Sequence, residues 1–207
     1  MDVRLDAAEI SPFSGSGRLL KFFVGNPPGY KSSSAFEVAD AKLGVQIGSI
    51  FSDTIVVNEI NIQSPLVTLE GTLDANNLGT ILSNIKAYSG PKQKTTNAPA
   101  PAESGTPKKF IVKDIVLNGA KVHVNVSGFG RMLDQTVAIP DIHIQNVGTA
   151  GHAATASDLA RQILEPVLTA AVKAAGEELL KNNKDVQKLQ GELNKSVPGL
   201  TNLINLK

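Results

Sequence analysis

The fold is decided by a stretch of sequence that occurs twice: residues 56–69 read VVNEINIQSPLVTL, and residues 111–124 read IVKDIVLNGAKVHV. Apolar residues stand at matching places in the two copies: Val57 and Val112, Ile60 and Ile115, Ile62 and Leu117, Val67 and Val122, Leu69 and Val124. An acidic residue, Glu59 or Asp114, precedes the central isoleucine in each copy. Because alternating apolar residues are typical of half-buried strands, each copy predicts a pair of strands.

Each copy breaks its alternation once, between Val57 and Ile60 and between Val112 and Ile115. A break of this kind predicts a bulge or bend at the same place in both copies. The offset between the copies, about 55 residues, lies near the range of modular repeats. Repeated strands without a catalytic cluster are typical of a binding surface rather than of an enzyme.

The amino-acid composition argues against several classes of protein and of binding site. The chain has 207 residues, 42% of them hydrophobic and only 4% aromatic, so aliphatic side chains must form most of a core. The formal net charge of +1 offers no concentrated basic face for nucleic acid. The absence of cysteine excludes disulfides, thiolate metal sites and cysteine nucleophiles.

Hydrophobic periodicity predicts an α+β fold, in which a twisted, mainly antiparallel, curved sheet carries a short helix and a long C-terminal amphipathic helix on one side. Strands are predicted at 2–10, 18–24, 36–47, 54–62, 65–70, 110–126 and 137–144. Helices are predicted at about 78–88 and at 157–181, the second beginning at a Ser157-Asp158 cap and containing Pro166.

Two further segments complete the predicted organisation. Residues 89–109 are rich in Pro, Ala, Thr, Ser and Lys and predict a flexible linker inserted at one end of the sheet. We therefore expect one β-rich module over residues 1–182 and a helical C-terminal tail over residues 183–207.

The sequence contains no recognisable group of catalytic or metal-binding residues. His123, His143 and His152 have no acidic or histidine neighbour at metal-ligand spacing, so they are interpreted as ordinary strand or loop residues. Neither a phosphate-binding GxxxxGK[ST] loop nor a GxSxG nucleophile elbow occurs. The sequence predicts a protein that is not an enzyme, with no catalytic residue, metal or cofactor.

Apolar residues in excess of one sheet face point to a binding groove. Residues 55–57 and 115–117 place aliphatic side chains on both faces of their strands, and each apolar face needs a cover. The long helix covers one face; the other is either an apolar groove or is covered by the short helix and the tail. The predicted groove walls are Val45, Ile47, Ile60, Ile62, Val67, Leu69, Ile115, Leu117, Val122 and Val124.

Three segments, in this order, resemble the AsmA-like family, the bacterial relatives of bridge-like lipid transfer proteins. Residues 24–30 (VGNPPGY) are similar to a strand followed by an NPPG-aromatic corner. Residues 49–65 resemble the family's alternating stretch that ends in proline, and residues 76–82 (NNLGTIL) resemble the helix start that follows it. The resemblance covers residues 2–88 and, as a second unit, residues 110–147.

The resemblance implies a function. Family members have an N-terminal membrane anchor and an elongated curved sheet with an apolar inner face, and they are associated with lipid transport or with maintenance of the cell envelope. The anchor is not among these residues, so we expect a periplasmic module held at the inner membrane by a segment that precedes Met1. The chain is too short for a long conduit, and a short module that holds a lipid or acyl chain is predicted instead.

A second function stays open at this point. The module could instead serve assembly, by pairing a sheet edge with a partner protein or with another copy of itself.

Overall fold

The computed structural model describes residues 1–88, 107–128 and 130–181. These ranges contain nine strands and two α-helices: β1 (Val3–Ile10), β2 (Ser16–Gly25), β3 (Ser34–Val45), β4 (Thr54–Gln63), β5 (Leu66–Thr72), α1 (Asn77–Ala87), β6 (Lys109–Asn118), β7 (Lys121–Gly128), β8 (Arg131–Ala138), β9 (Ile142–Val147) and α2 (Ala156–Lys181). The predicted fold, a twisted and mainly antiparallel sheet with one short and one long C-terminal helix, is confirmed.

One predicted segment in part, and another in whole, lie outside the described residues. These are the linker up to residue 106 and the C-terminal tail at 183–207. The last residue of the predicted linker, Lys109, already belongs to β6, where its neighbour on β4 is Thr54.

The two copies of the repeat lie side by side as parallel neighbours. Each paired residue of β4 and β5 faces its own counterpart in the second copy, from Thr54 beside Lys109 to Thr72 beside Ser127. The offset of 55 residues between the two copies is therefore also the difference in residue number between the two partners of every pair in these ladders. Matching apolar residues become cross-strand neighbours, and such pairs are the unit of sheet stabilisation.

Antiparallel strands flank this parallel pair on both sides. Seven strands follow the order β8-β7-β5-β3-β4-β6-β9, while β1 joins β2 and β2 joins β3. The long strand β3 pairs with β5 near its start and with β4 near its end. Because β4–β5, β6–β7 and β8–β9 are successive halves of long segments, the sheet is about six strands, or about 24 Å, wide.

A crease crosses the sheet where β4 meets β5 and where β6 meets β7. Three residues on this line adopt the left-handed backbone conformation: Lys21 (φ 51°), Ser64 (φ 48°) and Gly119 (φ 62°). Leu117 and Ala120 are both buried although they are three residues apart, so the crease changes which residues of a strand face the core. The ladders nevertheless keep one register on both sides of the crease.

A second irregularity matches the predicted break in the alternation. In the first copy Asn58 has no partner on β3, because its neighbours Val57 and Glu59 pair with adjacent residues of that strand. This is the predicted bulge, and it is confirmed. In the second copy the register between β6 and β9 does not shift, and Asn146 of β9 instead adopts a left-handed conformation with φ 58°.

Both helices begin at side-chain caps. The Oδ1 atom of Asn76 accepts the backbone N–H of Gly79 at 2.8 Å at the start of α1. At the start of α2, the Thr155 hydroxyl accepts the N–H of Asp158 at 3.1 Å, and the Asp158 carboxylate accepts the N–H of Thr155 at 3.0 Å. This reciprocal pair is a capping box. The cap predicted at Ser157 is therefore wrong by two residues.

The core lies between one face of the sheet and the two helices. Helix α2 continues through Pro166 and packs on β6, β7, β8 and β9, and α1 packs on β5 and on α2. The helices contribute these buried apolar residues: Leu78, Ile81, Val167, Ala171, Ala175 and Leu179. An amphipathic helix is stabilised mainly by burial of this kind of stripe.

The structure departs from the predicted elements in two places. β3 ends at Val45, and Ile47 opens a single 3-10 turn at Ile47–Ser49 rather than continuing the strand. Most of β8 was missed, since the prediction began only at Val137 and the strand starts at Arg131. The first half of β8 places the exposed Arg131, Met132 and Asp134 around a single buried residue, Leu133, so its apolar alternation is too weak to read from the sequence.

Replacing Gly119 by alanine should weaken the crease. The new Cβ would lie 3.4 Å from Ser64 Oγ, an ordinary contact, so the expected loss of about 1–2 kcal/mol comes from the left-handed backbone. The control Gly48→Ala has open space around its Cβ, and its free energy of unfolding should change by less than about 0.5 kcal/mol. Urea unfolding measures both. Equal stability of the two variants would show that the crease does not need a residue suited to positive φ.

Candidate apolar binding face

Most of the predicted groove walls lie in the closed core. Eight of the ten are buried, and six of these have no exposed surface. The six are Val67, Leu69, Ile115, Leu117, Val122 and Val124. Ile62 and Val45 are 7% exposed, while Ile60 and Ile47 are half-buried. The six fully buried members thus lie together in the core on β5, β6 and β7, strands on which α1 and α2 pack.

The same apolar face continues beyond the helices, over β1 and β2. Directly paired residues of neighbouring strands lie on one face of a sheet. One row of such partners runs Val3, Val24, Phe36 and Val67. Val67 is fully buried, whereas Val3 is 55% exposed. An apolar row therefore runs from the closed core to the open edge of the sheet.

A second row repeats this arrangement on the other side of the crease. It runs from Ile10 through Gly17 and Leu43 to Ile60. Ile10 is 45% exposed, and Ile60 packs against the buried core. We call the uncovered part of this face the apolar strip, formed by Val3, Leu5, Ile10, Leu19, Phe22, Val24 and Leu43.

Aromatic contacts stiffen the middle of the apolar strip. Leu5, which is 43% exposed, pairs with Phe22, and the ring of Phe22 meets that of Phe36 edge to face, with 6.3 Å between the ring centroids. Edge-to-face pairs stabilise by about 0.5–1.5 kcal/mol beyond the area they bury. Phe22 and Phe36 thus pack together at the centre of this face, while Leu5 beside them remains partly exposed to solvent.

The opposite face of the central sheet is polar. Asn61 Nδ2 donates to Glu59 Oε1 at 3.2 Å, and His143 Nε2 contacts the Asp114 carboxylate. Val116 lies between Asn61 and His143 in its row, so it has polar neighbours on both sides. In this part of the sheet the two-faced aliphatic pattern does not form a second apolar groove among the described residues.

A buried carboxylate fastens the loop that joins β2 to β3. Glu70, only 8% exposed, accepts the backbone N–H groups of Lys31 at 2.6 Å and Ser32 at 2.8 Å. Burial raises the pKa of Glu70, but the hydrogen bonds from Lys31 and Ser32 outweigh it, so the pKa lies below the usual value for glutamate. The ionised carboxylate therefore stabilises this loop conformation.

Asn77, which has no exposed surface, completes this arrangement. Its Nδ2 donates to Asn26 Oδ1 at 2.7 Å and to the Thr68 carbonyl at 2.8 Å, while its Oδ1 accepts the N–H of Glu70 at 2.9 Å. The Asn77 amide thus supplies hydrogen-bond partners to the β5 backbone at Thr68 and Glu70, beyond the residues of β5 that pair with β3. We call Asn26, Glu70 and Asn77 the clasp.

Sequence analysis did not find the clasp. It placed residues 26–30 in a loop and residues 76–78 at a helix start, which the structure confirms. The available signal was a pair of adjacent asparagines before the helix, Asn76 and Asn77, since one cap needs only one of them. That the second asparagine reaches across to the loop depends on the tertiary structure.

The histidines occupy exposed or half-buried positions. His143 contacts Asp114, and His123 Nε2 lies 3.6 Å from Asp134 Oδ1. In residues 1–88, 107–128 and 130–181, no three His, Cys, Asp or Glu side chains are grouped so that they could hold a metal ion. Neither of the two described helices is long and apolar enough to span a bilayer.

Comparison of the chain with family models, curated proteins and solved structures gives no match in any of the three. The resemblance to the AsmA-like family therefore stays a prediction.

Removal of the charge on Glu70 should destabilise the fold. We expect Glu70→Gln to lower the free energy of unfolding by about 2 kcal/mol, because the amide presents its NH2 group to one of the two N–H donors. Since the pKa of Glu70 is lower in the folded state, the native contribution is complete above pH 4.5 and is lost as the pH falls through the folded pKa.

The gap in stability between wild type and Glu70→Gln should accordingly shrink in acid, as measured by urea unfolding at pH 7 and pH 3. Glu177→Gln, an exposed position on α2, is the matched control and should leave stability within about 0.5 kcal/mol. A gap that is the same at both pH values would contradict the role of the ionised carboxylate.

Proposed function

We propose that this protein binds a lipid, through an acyl chain laid along the apolar strip, without catalysing a reaction. This proposal is supported by the continuity of the apolar face from the buried core to β1. At β1, Val3, Leu5 and Ile10 are 43–55% exposed. Contiguous exposed apolar surface on a folded domain is typical of an interaction site.

The energetics favour a flexible apolar chain as the ligand. Each methylene removed from water contributes about 0.8 kcal/mol, so ten buried methylenes would contribute on the order of 8 kcal/mol before the entropy of ordering is subtracted. The strip follows β1, whose eight residues extend over about 26 Å. A long, narrow site of this shape fits an acyl chain better than it fits a compact ligand.

The predicted groove walls keep a supporting role in this proposal. Ile60, Ile62 and Val67 all pair with residues of β3, so they border the strip on its core side. The clasp acts from the side, because it holds the loop between β2 and β3, and both of these strands carry strip residues. The family resemblance adds the setting that we propose, a periplasmic module anchored at the inner membrane that serves lipid transfer or envelope maintenance.

The assembly alternative receives less support from the free edge of the sheet. In the described part of the chain no strand pairs with the outer edge of β1. This strand and its flank carry four charged residues, Asp2, Arg4, Asp6 and Glu9. Charged side chains on an edge strand are a common device against pairing with another sheet. We therefore propose lipid binding first and retain self-association as an outcome of the test.

The test is extraction of the purified protein with organic solvent after incubation with phospholipid vesicles, followed by mass spectrometry. Wild type should retain lipid in stoichiometric amount. Leu5→Asp should retain at most about a tenth as much, because a carboxylate on the strip makes burial of an acyl chain unfavourable. Ala138→Asp, at an exposed position of β8 far from the strip, is the control and should retain lipid as wild type does.

Circular dichroism of each variant separates loss of lipid from loss of fold. Since Leu5 is partly exposed, Leu5→Asp should keep the wild-type spectrum. An empty wild-type extract, or equal retention by both aspartate variants, would overturn the proposal. An empty extract together with a mass that rises with concentration in sedimentation would favour assembly.

A further inference from the structure

The direction of the strands gathers several loops at one end of the sheet. The turn between β1 and β2 lies against the end of β3, since Val45 N–H donates to the Gly15 carbonyl at 2.7 Å. The connection from β3 to β4 lies beside the start of β6, since Lys109 N–H donates to the Asp53 carbonyl at 2.9 Å. We call this the loop end. It comprises residues 11–15, 46–53 and 107–109.

Two phenylalanines project from the loop end. Phe13 is 93% exposed and Phe51 is 91% exposed. The other described phenylalanines, at positions 22, 23, 36 and 110, are all half-buried. In a chain so poor in aromatic residues, two fully exposed rings at one end of the sheet are unusual, because each leaves a large apolar area in water.

Constrained backbone holds both rings outward. In the first loop Gly15 N–H donates to the Ser11 carbonyl at 2.9 Å, and Gly15 has φ +70° with the Val45 carbonyl only 2.1 Å from the position of a Cβ. In the second loop Ser49, 6% exposed, donates its hydroxyl to the Gln46 carbonyl at 2.6 Å. The same hydroxyl accepts the N–H of Val56 at 2.9 Å. The tips that carry the rings are therefore braced from within the sheet.

A cation lies beside one of the two rings. Lys108 donates its ammonium to the Ser52 carbonyl at 2.6 Å, which places it next to Phe51, and Lys109 is exposed one residue further on. Asp53 lies in the same loop and offsets one of these charges. Exposed phenylalanines with lysines at the same end suit the interface of an anionic bilayer, where apolar rings enter the boundary between headgroups and acyl chains and ammonium groups meet phosphate.

We infer that the loop end docks on the surface of an anionic lipid bilayer, with Phe13 and Phe51 inserted at the interface and Lys108 and Lys109 over the headgroups. Ile10 of the apolar strip immediately precedes the first loop, so the strip would open toward the docked membrane. The docking itself does not depend on whether the strip holds lipid.

The absence of tryptophan from the chain allows a site-specific test. Phe13→Trp and Phe51→Trp each introduce a single fluorophore at a tip. Met132→Trp is the matched control, because Met132 is 71% exposed on β8, near the hairpin that joins β7 to β8, away from the loop end. With vesicles that contain phosphatidylglycerol, emission of the two tip variants should shift to the blue, and emission of Met132→Trp should not.

Vesicle flotation of the full chain gives the affinity. Phe13→Ala/Phe51→Ala should bind at least about tenfold more weakly than wild type, since burial of one phenylalanine alone contributes more than this factor. Lys108→Glu should weaken binding to anionic vesicles and leave the weak binding to neutral phosphatidylcholine vesicles unchanged. Met132→Ala should bind as wild type does.

Two results would overturn the inference. One is vesicle binding by wild type without a shift in either tip variant, which would place the membrane contact elsewhere. The other is a failure to bind vesicles combined with self-association that the double alanine variant abolishes, which would make the rings a protein contact. Docking and lipid retention are measured separately. Vesicle flotation measures membrane binding through the loop end, and solvent extraction measures the lipid held on the strip.

Discussion

The architecture depends on one constraint, the in-register parallel pairing of two bent strands that are copies of each other. Parallel pairing needs a crossover between the strands, and here α1 lies on the connection from β5 to β6. Once the copies are aligned, Ile62 meets Leu117 and Leu69 meets Val124, so the apolar stripes of both become one surface. The flanking antiparallel strands extend this surface, and the helices cover it from β5 to the edge formed by β8 and β9.

The crease follows from the same pairing. A strand that bends alone would lose its partners, so the neighbouring strands bend at the same level, and the left-handed residues Lys21, Ser64 and Gly119 lie on one line. Helix α2 packs on strands β6 to β9 and α1 packs on β5, whereas Val3, Leu5 and Ile10 on β1 stay exposed. The apolar strip is what this geometry leaves uncovered.

Two devices give the uncovered region a defined shape. The clasp anchors the loop between β2 and β3, because the Glu70 carboxylate accepts two N–H groups of this loop, and Asn77 supplies the hydrogen-bond partners that β5 lacks. The bracing of the loop end places Phe13 and Phe51 in solvent at the same end as Ile10. The apolar strip thus reaches the loop end that carries the exposed rings, which is the arrangement on which our two proposals, lipid binding and membrane docking, rest.

The sequence by itself determined the repeat, most of the strands, both helices and the first bulge, because local periodicity follows directly from which side chains must be buried. It did not determine which apolar residues stay exposed: most of the groove walls read from alternation are buried in the core, and the exposed edge of the same face falls on β1. Exposure depends on where the helices end over the sheet. The clasp also belongs to tertiary structure, since Asn26 and Asn77 are 51 residues apart and meet only after the strands pair.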